Sequence, residues 1–202
     1  MQDSLRSHHF RLSIIVLMAL TIAVAAEARK PSDPDELFNP LLGPEYSHWL
    51  VGPIVDMASE QEVEDYLLIA SDEEAAAFIV RFWEKRNAGT KVFTKSPQQI
   101  FDERSVEADK RFTEGAYPGS RTDRGKILIL YGEPDSIEFE SPRKVDDPPL
   151  EVWTYKTREK GLDDDKPKRR YRFVDLGRTT VLYTGQSLPP DYRRRLERQR
   201  RF

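Results

Sequence analysis

Residues 118–135 read PGSRTDRGKILILYGEPD, and the folding of this stretch decides the architecture around it. Pro118, Gly119 and Gly125 interrupt the chain before Lys126, while Gly132, Glu133, Pro134 and Asp135 form a turn after Tyr131; such residues punctuate regular elements. The apolar run between them, Lys126 to Tyr131, reads as a buried or half-buried strand. Further strands are expected at Ser136–Glu140, Glu151–Tyr155, Arg169–Asp175 and Thr179–Tyr183. The links between them are too short to hold crossover helices, which predicts an antiparallel meander of about five strands. The longer gaps, Ser141–Pro149 and Thr157–Lys168, are charged and read as mobile loops.

Upstream of Gly115 the apolar period is helical. Ser59 and Glu62 form a capping box, followed by Val63, Tyr66, Leu67 and Ala70 at i, i+3, i+4 and i+7. Ser71 and Glu74 repeat the start signal, with Asp72, Glu73 and Glu74 placed to meet the positive end of the helix dipole. Ala75, Phe78, Ile79 and Phe82 then give an apolar face, and the helix is expected to run to about Arg86. A third start at Ser96, Pro97 and Gln99 leads through Ile100, Phe101, Arg104, Ala108 and Phe112 towards Gly115. The predicted fold class is therefore α+β, with about three helices packed on the sheet.

The outer segments differ in kind. Arg6 and Arg11 precede an apolar run from Leu12 to Ala26, and Ala26-Glu27-Ala28 offers an A-x-A site, so residues 1–28 read as a secretory signal peptide cleaved near Ala28. Retention as an uncleaved anchor is the rival reading, although the run is short of the roughly 20 apolar residues a span needs. Residues 29–58 hold five prolines, Pro31 to Pro53, which break any long helix; Leu37, Trp49, Leu50 and Ile54 predict an arm lying against the domain. Residues 59–185 form the domain, and residues 186–202 a tail carrying Arg193, Arg194, Arg195, Arg198, Arg200 and Arg201. The expected location is exported, periplasmic or extracellular.

The 202 residues include 32 Lys+Arg, 35 Asp+Glu, 3 His and no Cys, with a net charge of −3. No disulfide, thiolate nucleophile or iron–sulfur site can be built without cysteine. The near-balanced charge gives no global attraction to nucleic acid. His8 and His9 lie in the leader, leaving His48 as the one imidazole downstream, and a serine nucleophile needs an activating base. Asp163, Asp164 and Asp165 are consecutive, whereas a calcium loop spaces its ligands at alternate positions, so they read as a solvated acidic loop. No catalytic residue, metal ligand or cofactor is expected.

Arg121, Thr122, Asp123 and Arg124 concentrate two guanidinium groups, a hydroxyl and a carboxylate in one loop. They admit two readings. In one they bind a partner, together with the turn at Glu133 and Asp135 and the aromatic Tyr131, Trp153 and Tyr155, residue types common at interface hot spots. In the other, Thr122 and Asp123 satisfy backbone N–H groups while the arginines pair with nearby acids. A competing functional reading is a hydrolase of an envelope glycan such as peptidoglycan, using Asp123 with Glu133 or Asp135 as paired carboxylates.

Gly119, Ser120, Arg121, Thr122 and Asp123 resemble the Gly-Trp-any-Thr-Asp motif of the GWxTD-domain proteins, with Ser120 where the family has tryptophan. The likeness extends over about residues 78–184, through FWEKR, RTDRGKILILYGEPDSIE, EVWTY and YRFVD. The resemblance implies an extracytoplasmic domain of bacterial origin with no assigned catalytic residue or cofactor. The Gly132-to-Pro134 turn followed by Trp153-Thr154-Tyr155 is also similar to small envelope-assembly lipoproteins that bind other proteins. The expected function is a non-catalytic interaction module of the cell envelope, its partner an envelope protein. The Arg193–Arg201 tail is expected to add a weak contact to anionic lipid or lipopolysaccharide.

Overall fold

A computed structural model describes residues 33–89, 95–141 and 149–183. The expected leader and arginine-rich tail lie outside these residues. The architecture is α+β. Helices α1 (Pro53–Met57), α2 (Glu60–Leu67), α3 (Asp72–Gly89), α4 (Pro97–Phe112) and α5 (Asp123–Tyr131) precede strands β1 (Ser136–Glu140), β2 (Leu150–Thr154), β3 (Arg170–Asp175) and β4 (Thr180–Leu182).

The predicted helix starts form as their chemistry dictates. Ser59 Oγ accepts from the Glu62 N–H at 3.2 Å while Glu62 Oε2 accepts from the Ser59 N–H at 2.8 Å. Ser96 and Gln99 build the same reciprocal pair at 3.2 and 3.0 Å at the start of α4. The proline-broken segment before α1 is folded into the core with Leu37, Leu42 and Leu50 buried, and α1 adds Ile54 and Val55. Asn39 fastens it: its buried Nδ2 donates to the carbonyls of Tyr66 at 3.0 Å and Ile69 at 2.9 Å, at and just beyond the end of α2. Trp49 then meets Tyr66 and Phe82 with ring centroids 4.8 and 4.9 Å apart.

Residues 126–131, expected as a strand, are helical. Ile127, Leu128, Ile129 and Leu130 are all buried, so α5 is enclosed on every side and shows no 3.6-residue polarity pattern. A continuous apolar run of this length does not distinguish a buried helix from a buried strand. The local signals that decide it are at the ends. Thr122 Oγ1 accepts from the Gly125 N–H at 3.1 Å as the N-cap. Gly132 closes the helix at φ +80°, its N–H donating to the Leu128 carbonyl at 2.8 Å.

The sheet has four strands among the described residues instead of about five, in the order β1-β2-β3-β4, all antiparallel. Ile137, Trp153 and Tyr171 lie opposite one another on the helix-facing side. Trp153 packs there between Phe112 of α4 and Phe173 of β3, at centroid distances of 5.6 and 5.1 Å. The segment 157–168, expected as a mobile loop, is anchored to α5. The Leu162 N–H donates to the Leu130 carbonyl at 3.0 Å, and Leu162 and Pro167 are buried. The other expected mobile loop falls largely on 142–148, outside the described residues.

Candidate functional site

The stretch Gly119–Arg124 serves the interior of the fold. Gly119 closes against α4, where an added Cβ would fall on the backbone carbonyl of Ala108 and within 2.8 Å of the Thr113 nitrogen. Gly125 faces Gly119 with equally little room, its Cβ position lying on the Gly119 carbonyl. The buried Thr122 hydroxyl donates to that same carbonyl at 2.7 Å while capping α5. The Ser120 N–H donates to Asp109 Oδ1 at 2.7 Å, tying the turn to α4. Asp123 Oδ2 accepts from the Leu182 N–H at 2.6 Å, which fixes β4 to the start of α5.

Arg124 lies over the Phe112 ring, 5.0 Å from its centroid, and pairs with Glu114 at 3.1 Å and Glu151 at 3.2 Å. Glu114 also accepts from the Thr180 N–H at 3.0 Å, so one carboxylate joins α5 to β4. Arg121 is half-buried, with its stem against Gly52. Trp153, expected on the binding face, is fully buried, and its Nε1 donates to Glu151 Oε1 at 2.6 Å. Thr122, Asp123, Arg124 and Trp153 therefore hold α4, α5 and the sheet together, and the structural reading of the loop describes three of its four polar residues.

The other predicted residues meet elsewhere, at the end of α5. Tyr131, Glu133, Asp135 and Tyr155 line a cleft of about 400 Å³ together with Arg104, Lys160 and the segment 157–162. An adjoining hollow of about 310 Å³ shares Arg104 and Glu133 and adds Glu103, Glu107 and Gly132. The Arg104 guanidinium between them donates to the Ile129 and Leu130 carbonyls at 2.8 and 3.3 Å, covering the negative end of α5. Burial lowers its affinity for a proton, opposed by Tyr155 and Glu133. Gly132 beside it sits at φ +80°, where a side chain is strained, and a Cβ there would also lie 2.7 Å from Arg104 Nη2.

The wall of the cleft is a tyrosine cluster. Tyr131 stacks on Tyr171 at 6.0 Å, and Tyr155 meets Tyr171 edge-on at 5.8 Å. The Tyr155 hydroxyl donates to the Gly132 carbonyl at 2.8 Å, and Tyr131 donates to Asp163 Oδ2 at 2.6 Å. Burial pushes all three phenols up from their ordinary range, so at neutral pH they are uncharged; Tyr131 and Tyr155 donate, while the Tyr171 hydroxyl accepts from the Lys168 N–H at 2.9 Å. Burial also raises the Asp163 carboxyl, against the lowering effect of the Tyr131 hydrogen bond. Asp163 is thus a half-buried partner of Tyr131, whereas Asp164 and Asp165 are exposed as a solvated loop predicts.

Two of the acids lining the cleft, Glu133 and Asp135, already have partners within the protein. Glu133 pairs with Arg111, and Asp135 Oδ2 accepts from the Lys156 N–H at 2.6 Å. Asp123 is held at β4 and does not line the cleft, so the expected pairings of Asp123 with Glu133 or Asp135 do not share it. His48 contacts the hydroxyl of its neighbour, buried Ser47, at 3.0 Å and packs on Phe38 at 4.8 Å. Among the described residues no group of three or more His, Asp or Glu is placed to hold a metal ion, and no helix is long and apolar enough to cross a membrane.

Arg104 and Asp163 were not singled out as site residues in the sequence. Arg104 appears there as one position on a helix face, and only the course of α5 reveals what its guanidinium covers.

Comparison with protein families matches residues 44–175 to the GWxTD domain. No curated protein and no solved structure matches the chain.

Proposed function

From the premise that the chain belongs to the GWxTD-domain family, we propose that it is a non-catalytic binding module that works at the cell envelope. The observation that carries this reading is the cleft at the end of α5. It presents Arg104, Glu133, Asp135 and Lys160 around a tyrosine wall, while Glu133 and Asp135 are engaged by Arg111 and the Lys156 N–H. Polar groups already fixed by the protein suit recognition, since they lose little freedom when a ligand arrives. Export rests on the leader-like residues 1–28. The motif loop contributes by keeping α5, and hence the cleft, in place.

A photo-reactive amino acid at Thr157, on the rim, tests this reading when the full chain is produced in cells and irradiated. A discrete cross-linked envelope protein is expected from position 157 and not from Arg81 on α3, and equal products from both positions would count against the cleft. One observation favours a second reading: Glu133 and Asp135 line the same cleft, as paired acids of a glycan hydrolase would. Release of soluble fragments from peptidoglycan by the wild type, abolished in Asp135→Asn, would establish the enzyme in place of the binder.

A further inference from the structure

Strand β1 is an edge of the sheet, with no strand on its outer side among the described residues. Soluble proteins usually guard such an edge with a bulge, a proline or an inward-pointing charge. Here the pairing with β2 runs in regular register over Ser136–Glu140, without a bulge, and the strand sequence SIEFE has no proline. Ile137 and Phe139 lie on the same side, 43% and 75% exposed, so the edge presents open backbone beside two apolar side chains. Glu138 and Glu140 occupy the opposite side. Arg170 and Arg172 neutralise Glu140 at 2.7 and 3.0 Å, whereas Glu138 has the Ser136 hydroxyl, at 3.2 Å, as its hydrogen-bond partner.

We infer that β1 accepts an extended segment of another protein as an additional strand, one in which apolar residues alternate with basic ones. An incoming strand would place its apolar side chains beside Ile137 and Phe139 and its cations beside Glu138, because side chains alternate between faces with period two. The strand itself carries Glu138 and Glu140 and no cation, and among the described residues Glu138 is the one of the two that no arginine pairs. That charge disfavours a second copy of this chain. Two β1 strands paired antiparallel about a central two-fold would set Glu138 against Glu138, and like charges directly opposite are destabilising. The surface is separate from the cleft and does not depend on the function proposed for it.

Fluorescence anisotropy with the full chain and labelled six-residue peptides tests this inference. An alternating Val-Lys peptide is expected to bind at least tenfold more tightly than a Val-Glu peptide and than a block peptide of three lysines followed by three valines. Phe139→Lys should weaken the Val-Lys peptide at least tenfold with an unchanged circular dichroism spectrum, as Phe139 is largely in solvent. Glu138→Lys should reverse the preference towards Val-Glu. Equal binding of the alternating and block peptides would reduce the effect to bulk charge and overturn the inference. It would equally be overturned by no binding of any peptide at millimolar concentration, or by a dimer in sedimentation equilibrium that Phe139→Lys abolishes.

Discussion

Thr122→Ala removes a hydroxyl that does two things at once, and its cost can be worked from the contacts. Oγ1 accepts from the Gly125 N–H at 3.1 Å and donates to the Gly119 carbonyl at 2.7 Å, in a residue that is 4% exposed. The Gly119 carbonyl retains the Thr122 backbone N–H at 3.1 Å, so it is not orphaned. Gly125 is buried in the first turn of α5, where no earlier helical carbonyl can receive its N–H. Loss of an N-cap costs about 1 kcal/mol, and a buried donor left without a partner about 1–3 kcal/mol. These overlap in one N–H group and do not add, so the expected loss is about 1–3 kcal/mol, near 2. Thr122→Val keeps the shape and should cost about the same, while Thr122→Ser keeps the hydroxyl and should cost under about 1 kcal/mol, the value of one methyl group. Urea unfolding of the full chain reads this as a midpoint lowered by about 1 M for Ala and Val, with an unchanged slope near 2 kcal/mol/M. If Ala lay within about 0.5 kcal/mol of wild type, or Ser were as damaging as Ala, the capping account of the motif threonine would be refuted.

Gly119→Ala should lower the melting temperature by roughly 10 °C, because the new methyl meets the backbone of Ala108 and not a movable side chain, an overpacking worth about 3 kcal/mol; a calorimetric scan within 2 °C of wild type would contradict it. Burial pushes the Glu62 carboxyl up, but hydrogen bonds from Arg86, the Ser59 N–H and Lys85 outweigh this and hold its pKa at about 2. A depressed folded-state value means that the stabilisation is present above the unfolded pKa near 4.5 and is lost as pH falls from there towards about 2. Glu62→Gln should therefore destabilise at pH 7, by on the order of 2–3 kcal/mol, and approach wild type at pH 2 in the same denaturant titration. Arg104→Met removes the donors to the Ile129 and Leu130 carbonyls and should cost about 2–3 kcal/mol, with Arg104→Lys recovering part of it in thermal melts.

What was legible in the sequence followed from how local the physics is. The boxes at Ser59/Glu62 and Ser96/Gln99 need partners three residues away, and both form. The strands at β2 and β3 form within a residue of where they are expected, and Trp153, Tyr171 and Phe173 share the face that packs on the helices, which fixes register. The segment 126–131 is a helix where its sequence predicts a strand, for a physical reason: a helix buried all round loses its amphipathic period. Its end signals, Thr122 three residues before Gly125 and Gly132 after Tyr131, were the better guide. Site residues divide in the same way. An arginine in a loop does not reveal whether its acids come from its own chain or from a partner; Arg124 finds Glu114 and Glu151 within the fold. Trp153 looked like an interface anchor because it has the residue type of a hot spot, yet the same ring area serves equally well to bridge Phe112 and Phe173 inside. Tyr131, Glu133, Asp135 and Tyr155 converge because α5 ends where β1 begins, a juxtaposition that follows from the turn at Gly132.

The division of labour between motif and cleft can be tested by comparing how much envelope partner the full chain retains when Lys160 is changed to Glu with the amount retained when Arg121 is changed to Ala. Both variants would be compared at equal folded fraction. Lys160 is exposed on the cleft rim and Arg121 lies at the motif loop. The account predicts loss of the partner in Lys160→Glu and retention in Arg121→Ala; retention in the first with loss in the second would contradict it.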